Sequence, residues 1–189
     1  AIGVSCGGPL APKAGVIQAP PNLSTWIDIP IKQILSSEFG VACNLENDAN
    51  AGAVAEHRYG AGKGTRNMVF MTMGTGLGAG IIIEGHLYRG ASETGGEIGH
   101  VRLSRSGPVG YYKVGSVEGW ASGGGMVQVA SRAIAAAKKR GQTTSLTSIA
   151  DTGAPPTARA VADAAEQGDM VAKKIIQITG TRLGEALAI

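Results

Sequence analysis

Cysteine is scarce: the 189-residue chain carries only Cys6 and Cys43. Neither belongs to a CxxC pair, and two thiols make no disulfide framework, so a reducing cytoplasm is the expected setting. Aromatic residues are only 4%, which argues against stacking platforms for single-stranded nucleic acid. Charged residues are 16% with a net charge of +3. The basic residues are scattered, and the one run, Lys138-Lys139-Arg140, falls where a helix is expected to end and cations are favoured. Nucleic-acid binding would need a basic stripe and is not expected. No apolar run approaches the ~20 residues of a membrane span, and no signal peptide is visible. The chain lacks an initiator Met and opens on an apolar stretch, which reads as a cut or processed start.

Against these absences stand 43% hydrophobic residues, enough for a folded core. Glycine is abundant at 30 residues, about twice the usual ~7%. Nineteen of these lie from Gly60 to Gly125. Glycine is required where a backbone turns sharply or approaches a ligand, so the chemistry is expected in that stretch.

The hydrophobic patterning predicts a buried strand over residues 2–5, followed by a loop through Pro12, Gly15, Pro20 and Pro21 to Asn22. A helix is expected over 30–39, with Pro30 in its first turn and Gly40 after its end. A short strand over 41–45 leads to a helix that Asn47-Asp48-Ala49-Asn50 caps and that runs to about Arg58. The turn-rich residues 60–64 are the expected lobe boundary, giving lobes of 1–64 and 65–189. Strands over 69–73, 81–84 and 86–89, separated by tight turns, predict antiparallel pairing. Residues 90–115 read as loops. Residues 117–140 read as one helix despite Gly123, Gly124 and Gly125, and two more helices follow over 157–167 and 169–187.

Four constellations can carry chemistry. Alternate glycines in Gly74-Thr75-Gly76-Leu77-Gly78-Ala79-Gly80, directly after a strand, leave backbone N–H groups free to face an anion such as phosphate. The string also fits a loose dinucleotide fingerprint, but that motif needs a helix next. Ile81, Ile82 and Ile83 favour a strand instead. A plain glycine hairpin is the bland alternative. Gly62-Lys63-Gly64 fails as a P-loop because His57 stands where the first glycine should be and Gly64 replaces Ser/Thr. Asn47-Asp48-Ala49-Asn50 reads most simply as a helix cap, though Asp48 could also serve as a general base toward a hydroxyl that Asn47 orients. In Glu97-Ile98-Gly99-His100 the acid and the imidazole share one side of a turn, suited to a polyol or, with further ligands, to a metal. Glu118 opens a helix with Trp120 behind it. His57 and His86 have no such partner and read as structural.

Each of these is weak alone, but their order and spacing are specific. Asn47-Asp48-Ala49-Asn50, the glycine string, Glu97-Ile98-Gly99-His100, and Glu118 with Ala121-Ser122-Gly123 together resemble the signature of the ROK family (repressor, open reading frame, kinase). Gly3-Val4-Ser5-Cys6-Gly7-Gly8-Pro9, Asn22-Leu23 with Trp26, and the closing Leu183-Gly184-Glu185-Ala186-Leu187-Ala188 fit the same pattern, so the resemblance covers essentially the whole chain. It implies an α/β, actin-like ATPase (ribonuclease H-like) fold of two lobes, incomplete in this chain. It implies ATP-dependent phosphorylation of a hexose, glucose foremost, at the 6-hydroxyl, with Asp48 as the base. Asn47, Glu97, His100, Glu118 and Gly8 would bind the sugar, and Gly74, Thr75, Gly76 and Gly78 the ATP phosphates. ATP and Mg²⁺ are the implied cofactors and a homodimer the implied assembly.

Two departures from the family pattern matter. Many members carry a zinc-binding cysteine cluster between the histidine and the later glutamate. Residues 109–117 here hold no cysteine, so no zinc is expected, and packing by Tyr111 and Tyr112 is expected to hold that loop. The Asp-x-Gly-Gly-Thr phosphate loop and the closing Gly-Gly adenosine element are both absent, so the chain reads as a central fragment. Two other readings follow. One is the sugar-sensing module of a ROK transcriptional repressor, whose helix-turn-helix would lie upstream. The other is a sugar-binding fragment without kinase activity.

Overall fold

A computed structural model describes residues 1–148 and 153–188. The compact units do not divide at 64/65. One comprises Ala1–Met71 with Ala79–Gly96, and the other Thr72–Gly78 with Glu97–Ile189.

The first unit is built on two parallel strands, β1 (Ile2–Cys6) and β4 (Cys43–Asn47), in register from Ile2↔Cys43 to Cys6↔Asn47. The expected burial of β1 does not occur: its side chains alternate between half-buried and exposed, the pattern of a strand covered on one face. Between them, the expected loop contains a small antiparallel hairpin, β2 (Leu10–Ala11) with β3 (Val16–Ile17). Helix α1 (Ile31–Phe39) begins after Pro30 and ends at Gly40, whose φ of 63° is the left-handed conformation glycine tolerates. Helix α2 (Asp48–Tyr59) follows β4 without a break. Buried Cys43, Leu45, Ala49, Ala53 and Ile82 are among the unit's core residues. Gly80 serves this packing, since a Cβ there would stand 2.5 Å from the Ala53 Cβ.

A three-stranded sheet has the order β5 (Met68–Met73), β6 (Leu77–Ile83), β7 (His86–Tyr88). The β6–β7 pair is antiparallel, as the pattern predicts. The turn before β6 is shorter than expected. Only residues 74–76 lie outside the strands, and Gly78 and Gly80 are strand residues.

The second unit is mainly helical. A 3₁₀ turn (Ile98–His100) and a hairpin, β8 (Val109–Gly110) with β9 (Lys113–Val114), precede the helices. The single helix expected over 117–140 is two: α3 (Val117–Ala121) and α4 (Gly123–Lys139). Ser122 breaks them apart with extended backbone (ψ 165°) and accepts the Gly125 amide on its hydroxyl, which makes it the N-cap of α4. Helices α5 (Ala158–Glu166) and α6 (Met170–Leu187) are capped by Thr157 and Asp169. Val161, Ala164 and Ala165 of α5 recur at helical spacing and pack with Val129, Ala130 and Ile134 of α4 and Ala172 and Ile175 of α6. Each large apolar side chain so buried contributes ~1.5–3 kcal/mol. Among the described residues, no helix is long and apolar enough to cross a membrane.

Candidate functional site

In the first unit, the chain leaves the C-terminal ends of β1 and β4 side by side, because Cys6 is the register partner of Asn47. Gly7 and Gly8 follow one strand and Asp48 the other. The carboxyl end of parallel strands is where open α/β sheets place their ligands. Asn47 accepts the Ala49 amide (3.0 Å) and the Asn50 amide (3.2 Å) on Oδ1, so it is the N-cap of α2. That oxygen is therefore committed to the helix, which leaves the Asn47 amide NH₂ as its unengaged polar group among the described residues. Asp48 is exposed and accepts the Ala49 amide on Oδ1 at 2.9 Å. Its Oδ2 has no partner among the described residues, and a Cβ placed on Gly7 would lie 4.0 Å from it. Nothing crowds Gly8 either, where a Cβ would come no closer than 3.9 Å to the Leu10 amide. The result is an accessible carboxylate oxygen facing open backbone. Burial, and after it the charge of Asp48, push the Cys6 thiol above its usual range.

Sequence reasoning missed what supports this corner. Glu46 accepts the Asn47 amide (3.0 Å) and the Asn50 side-chain amide (3.1 Å) on one oxygen and pairs with Arg89 through the other. Arg89 also approaches Glu93 at 3.7 Å, and Glu93 meets Lys13 at 2.6 Å. The chain of charges runs through residues 13, 46, 89 and 93, so no local motif announces it.

In the second unit the remaining candidates adjoin one another. The Leu77 amide donates to Glu118 Oε2 at 3.0 Å, and a Cβ on Gly76 would stand 2.7 Å from the same oxygen. The carbonyls of Gly74 and Thr75 accept from the amides of Gly123 (2.8 Å) and Gly124 (3.2 Å) at the start of α4. The glycine turn is thus pinned from two sides, with Gly74 and Thr75 exposed. Gly78 does not belong to the exposed part, for its amide donates to Thr72 Oγ1 at 3.3 Å. Glycines 123 and 124 serve this close approach, since a Cβ on either would come within 2.8 Å of a turn carbonyl.

The 3₁₀ turn carries exposed Glu97 and half-buried His100, with Glu97 Oε2 at 3.4 Å from His100 Nε2. It abuts Glu118: a Cβ on Gly99 would lie 3.5 Å from the Glu118 Cβ and 2.5 Å from the Leu77 carbonyl. The loop after His100 is held only in part as expected. Lys113 Nζ donates to the His100 carbonyl at 2.8 Å, and the Tyr111 ring meets the imidazole edge-on at 4.9 Å. Tyr112 does not pack the loop, being 91% exposed.

In the exposed turn the Gly74 amide donates to the Gly76 carbonyl at 3.1 Å, and no hydrogen bond among the described residues takes the Thr75 amide, which is the donor there that a phosphate oxygen could meet. Magnesium draws most of its ligands from phosphate and water. Among the described residues no three of His, Cys, Asp and Glu gather into a group, and no side chain is assigned to that ion.

Comparison with known proteins adds the lineage of this geometry. The ROK family matches residues 1–189. A glucokinase of Halalkalibacterium halodurans is 32% identical over 191 residues, covering 99% of this chain and 56% of the relative. A xylose repressor of Bacillus spizizenii is 42% identical over 107 residues, 57% of this chain and 27% of the repressor. The crystal structure of a ROK hexokinase from Thermus thermophilus superposes with a TM-score of 0.78 at 32% identity, over 100% of this chain and 57% of that one. The chain therefore spans little more than half the length of these kinases, and it has their α/β, actin-like ATPase fold.

Proposed function

The chain belongs to the ROK family, and from that premise we propose that its protein is an ATP-dependent hexokinase acting on the 6-hydroxyl of a hexose, glucose foremost. The observation that carries the reading is the unpartnered Oδ2 of Asp48 at the mouth of two parallel strands, facing open glycine backbone.

Phosphoryl transfer asks a protein mainly for positioning and for charge stabilisation. Asp48 accepts the proton of the sugar 6-hydroxyl, whose oxygen forms the new bond to phosphorus as the bond to the ADP oxygen breaks. The nucleotide supplies the γ-phosphoryl group. The backbone amide of Thr75 donates to its phosphates, in a turn held by α4 and Glu118. Glu97, His100 and the free oxygen of Glu118 receive and donate hydrogen bonds to the other hydroxyls, and the Asn47 amide NH₂ donates one more. A ring of hydroxyls needs several such partners because an unpaired buried polar group is costly. Mg²⁺ accompanies the nucleotide, and a cytoplasmic homodimer is part of the same proposal.

A second reading is favoured by the xylose repressor relative: sugar binding at the same residues, read out as DNA-binding control rather than turnover. A coupled assay of ADP release by the full-length protein across a hexose panel separates the two. Turnover on glucose with hexose 6-phosphate as product is the expected result. Tight hexose binding with no ADP release on any sugar would favour the sensor.

A further inference from the structure

The β8–β9 hairpin turns through two residues, Tyr111 and Tyr112, with φ of 43° and 62°. Positive φ at both central positions marks the tight hairpin turn that Asn-Gly or Gly-Gly normally fills. A side chain with a Cβ pays for this conformation, and bulky residues adopt it rarely. Two tyrosines here therefore work against the turn. They also work against solvation, since Tyr111 is 49% and Tyr112 91% exposed. Neither turn chemistry nor core packing accounts for the pair.

Its surroundings do. The hairpin is clamped to the 3₁₀ turn by Lys113 on the His100 carbonyl (2.8 Å) and by the Tyr111 ring against the imidazole (4.9 Å, interplanar 79°). It is wedged equally against Glu118, since a Cβ on Gly110 would stand 2.8 Å from the Glu118 Cβ and 2.4 Å from the Gly119 amide. The Tyr112 ring continues from Tyr111 at 5.6 Å with a tilt of 58°. An aromatic path thus runs from His100, beside Glu97 and Glu118, out to solvent.

We infer that Tyr111 and Tyr112 form an aromatic wall of the sugar site, which stacks on the apolar C–H face of the bound hexose. The inference rests on the reading of Glu97, His100 and Glu118 as hexose partners. A pyranose offers hydroxyls at its rim and carbon-bound hydrogens on its face. The carboxylates and the imidazole meet the rim, and a tyrosine ring, with its apolar body and polar tip, meets the face. Tyrosine is also ordered on binding at low entropic cost, having two side-chain torsions.

The test compares the full-length wild type with the double variant Y111N/Y112G and with Y112A, measuring glucose Kd by calorimetry, nucleotide KM and Tm. Asn-Gly suits the turn better than Tyr-Tyr, so the double variant is expected to melt at or above the wild-type temperature while glucose Kd weakens about tenfold, 1.4 kcal/mol. Nucleotide KM should stay within about twofold, and Y112A should show part of the same loss. The pair Y111F/Y112F, which keeps the rings and removes the hydroxyls, should bind glucose like wild type. Unchanged glucose affinity in Y111N/Y112G or in Y112A overturns the aromatic wall alone. A wild type that binds no hexose overturns the underlying site reading and the wall with it.

Discussion

Glu118 has two oxygens and two tasks. Oε2 holds the Leu77 amide and so the glycine turn, while the proposed function gives the other a sugar hydroxyl. A hydrogen bond to a charged group is worth ~1.5–3 kcal/mol, on the order of ten- to a hundredfold in binding. Glu118→Ala is therefore expected to raise both the hexose KM and the nucleotide KM by at least about tenfold. Glu118→Gln can still accept from Leu77 through its amide oxygen, so it should recover the nucleotide KM more than the hexose KM. Steady-state kinetics with each substrate varied in turn reads the difference, and equal recovery of both constants would separate Glu118 from the turn. Cys6 reports on the other corner. Burial and then the Asp48 charge raise its pKa, so its thiol is neutral at pH 7 and should alkylate slowly. Asp48→Asn removes the second cause, and iodoacetamide labelling should become faster and shift to lower pH. Labelling unaltered by that change would mean the two groups do not interact.

At the scale of elements, helix caps hold the described geometry in place. Asp169 caps α6 through Oδ1, which accepts from the Val171 and Ala172 amides, while Oδ2 takes the Thr144 hydroxyl and both the amide and hydroxyl of Ser145. Burial alone would raise its pKa, but these hydrogen bonds prevail, led by the Ala172 amide, and lower it to about 2. The unfolded value is ~3.9, so the stabilisation is complete above about pH 4 and is lost as pH falls through about 2. Asp169→Asn presents an NH₂ to three donors and should cost ~1–3 kcal/mol at pH 7. Thermal melts from pH 7 to 2 should show the gap between variant and wild type closing below pH 4, and a gap independent of pH would deny the carboxylate its role. Asn47, Ser116, Ser122 and Thr157 are likewise polar caps that accept first-turn amides.

Such caps explain what could be read before the structure. Helices α1, α2, α5 and α6 were legible because Pro30, Asn47, Thr157, Asp169 and the glycine at 40 are local signals. The break at Ser122 was not, because a serine inside an apolar run is an ordinary helix residue until its hydroxyl finds the Gly125 amide. The turn at 74–76 was overextended for a related reason: Gly78 and Gly80 are strand residues, Gly80 for close packing against Ala49 and Ala53, and sequence alone does not distinguish strand glycines from turn glycines. Among site residues, Asp48, Glu97, His100 and Glu118 stood in motifs. Glu46, Arg89 and Lys113 act through partners 43 and 13 residues distant, and no local spacing reveals a contact of that kind.

For the whole molecule, the ROK match along residues 1–189 and the likeness to a hexokinase of the same family account for the α/β architecture. A proton acceptor acts on turnover, whereas hydroxyl partners act on binding, and a single substitution separates the two. The deciding measurement is Asp48→Asn in the full-length protein, with glucose Kd and kcat determined on the same preparation. Loss of a general base should lower kcat by ~10²–10⁴-fold while glucose Kd stays within about threefold of wild type. Turnover near the wild-type rate would contradict the assignment of Asp48 and, with it, the kinase mechanism built upon that carboxylate.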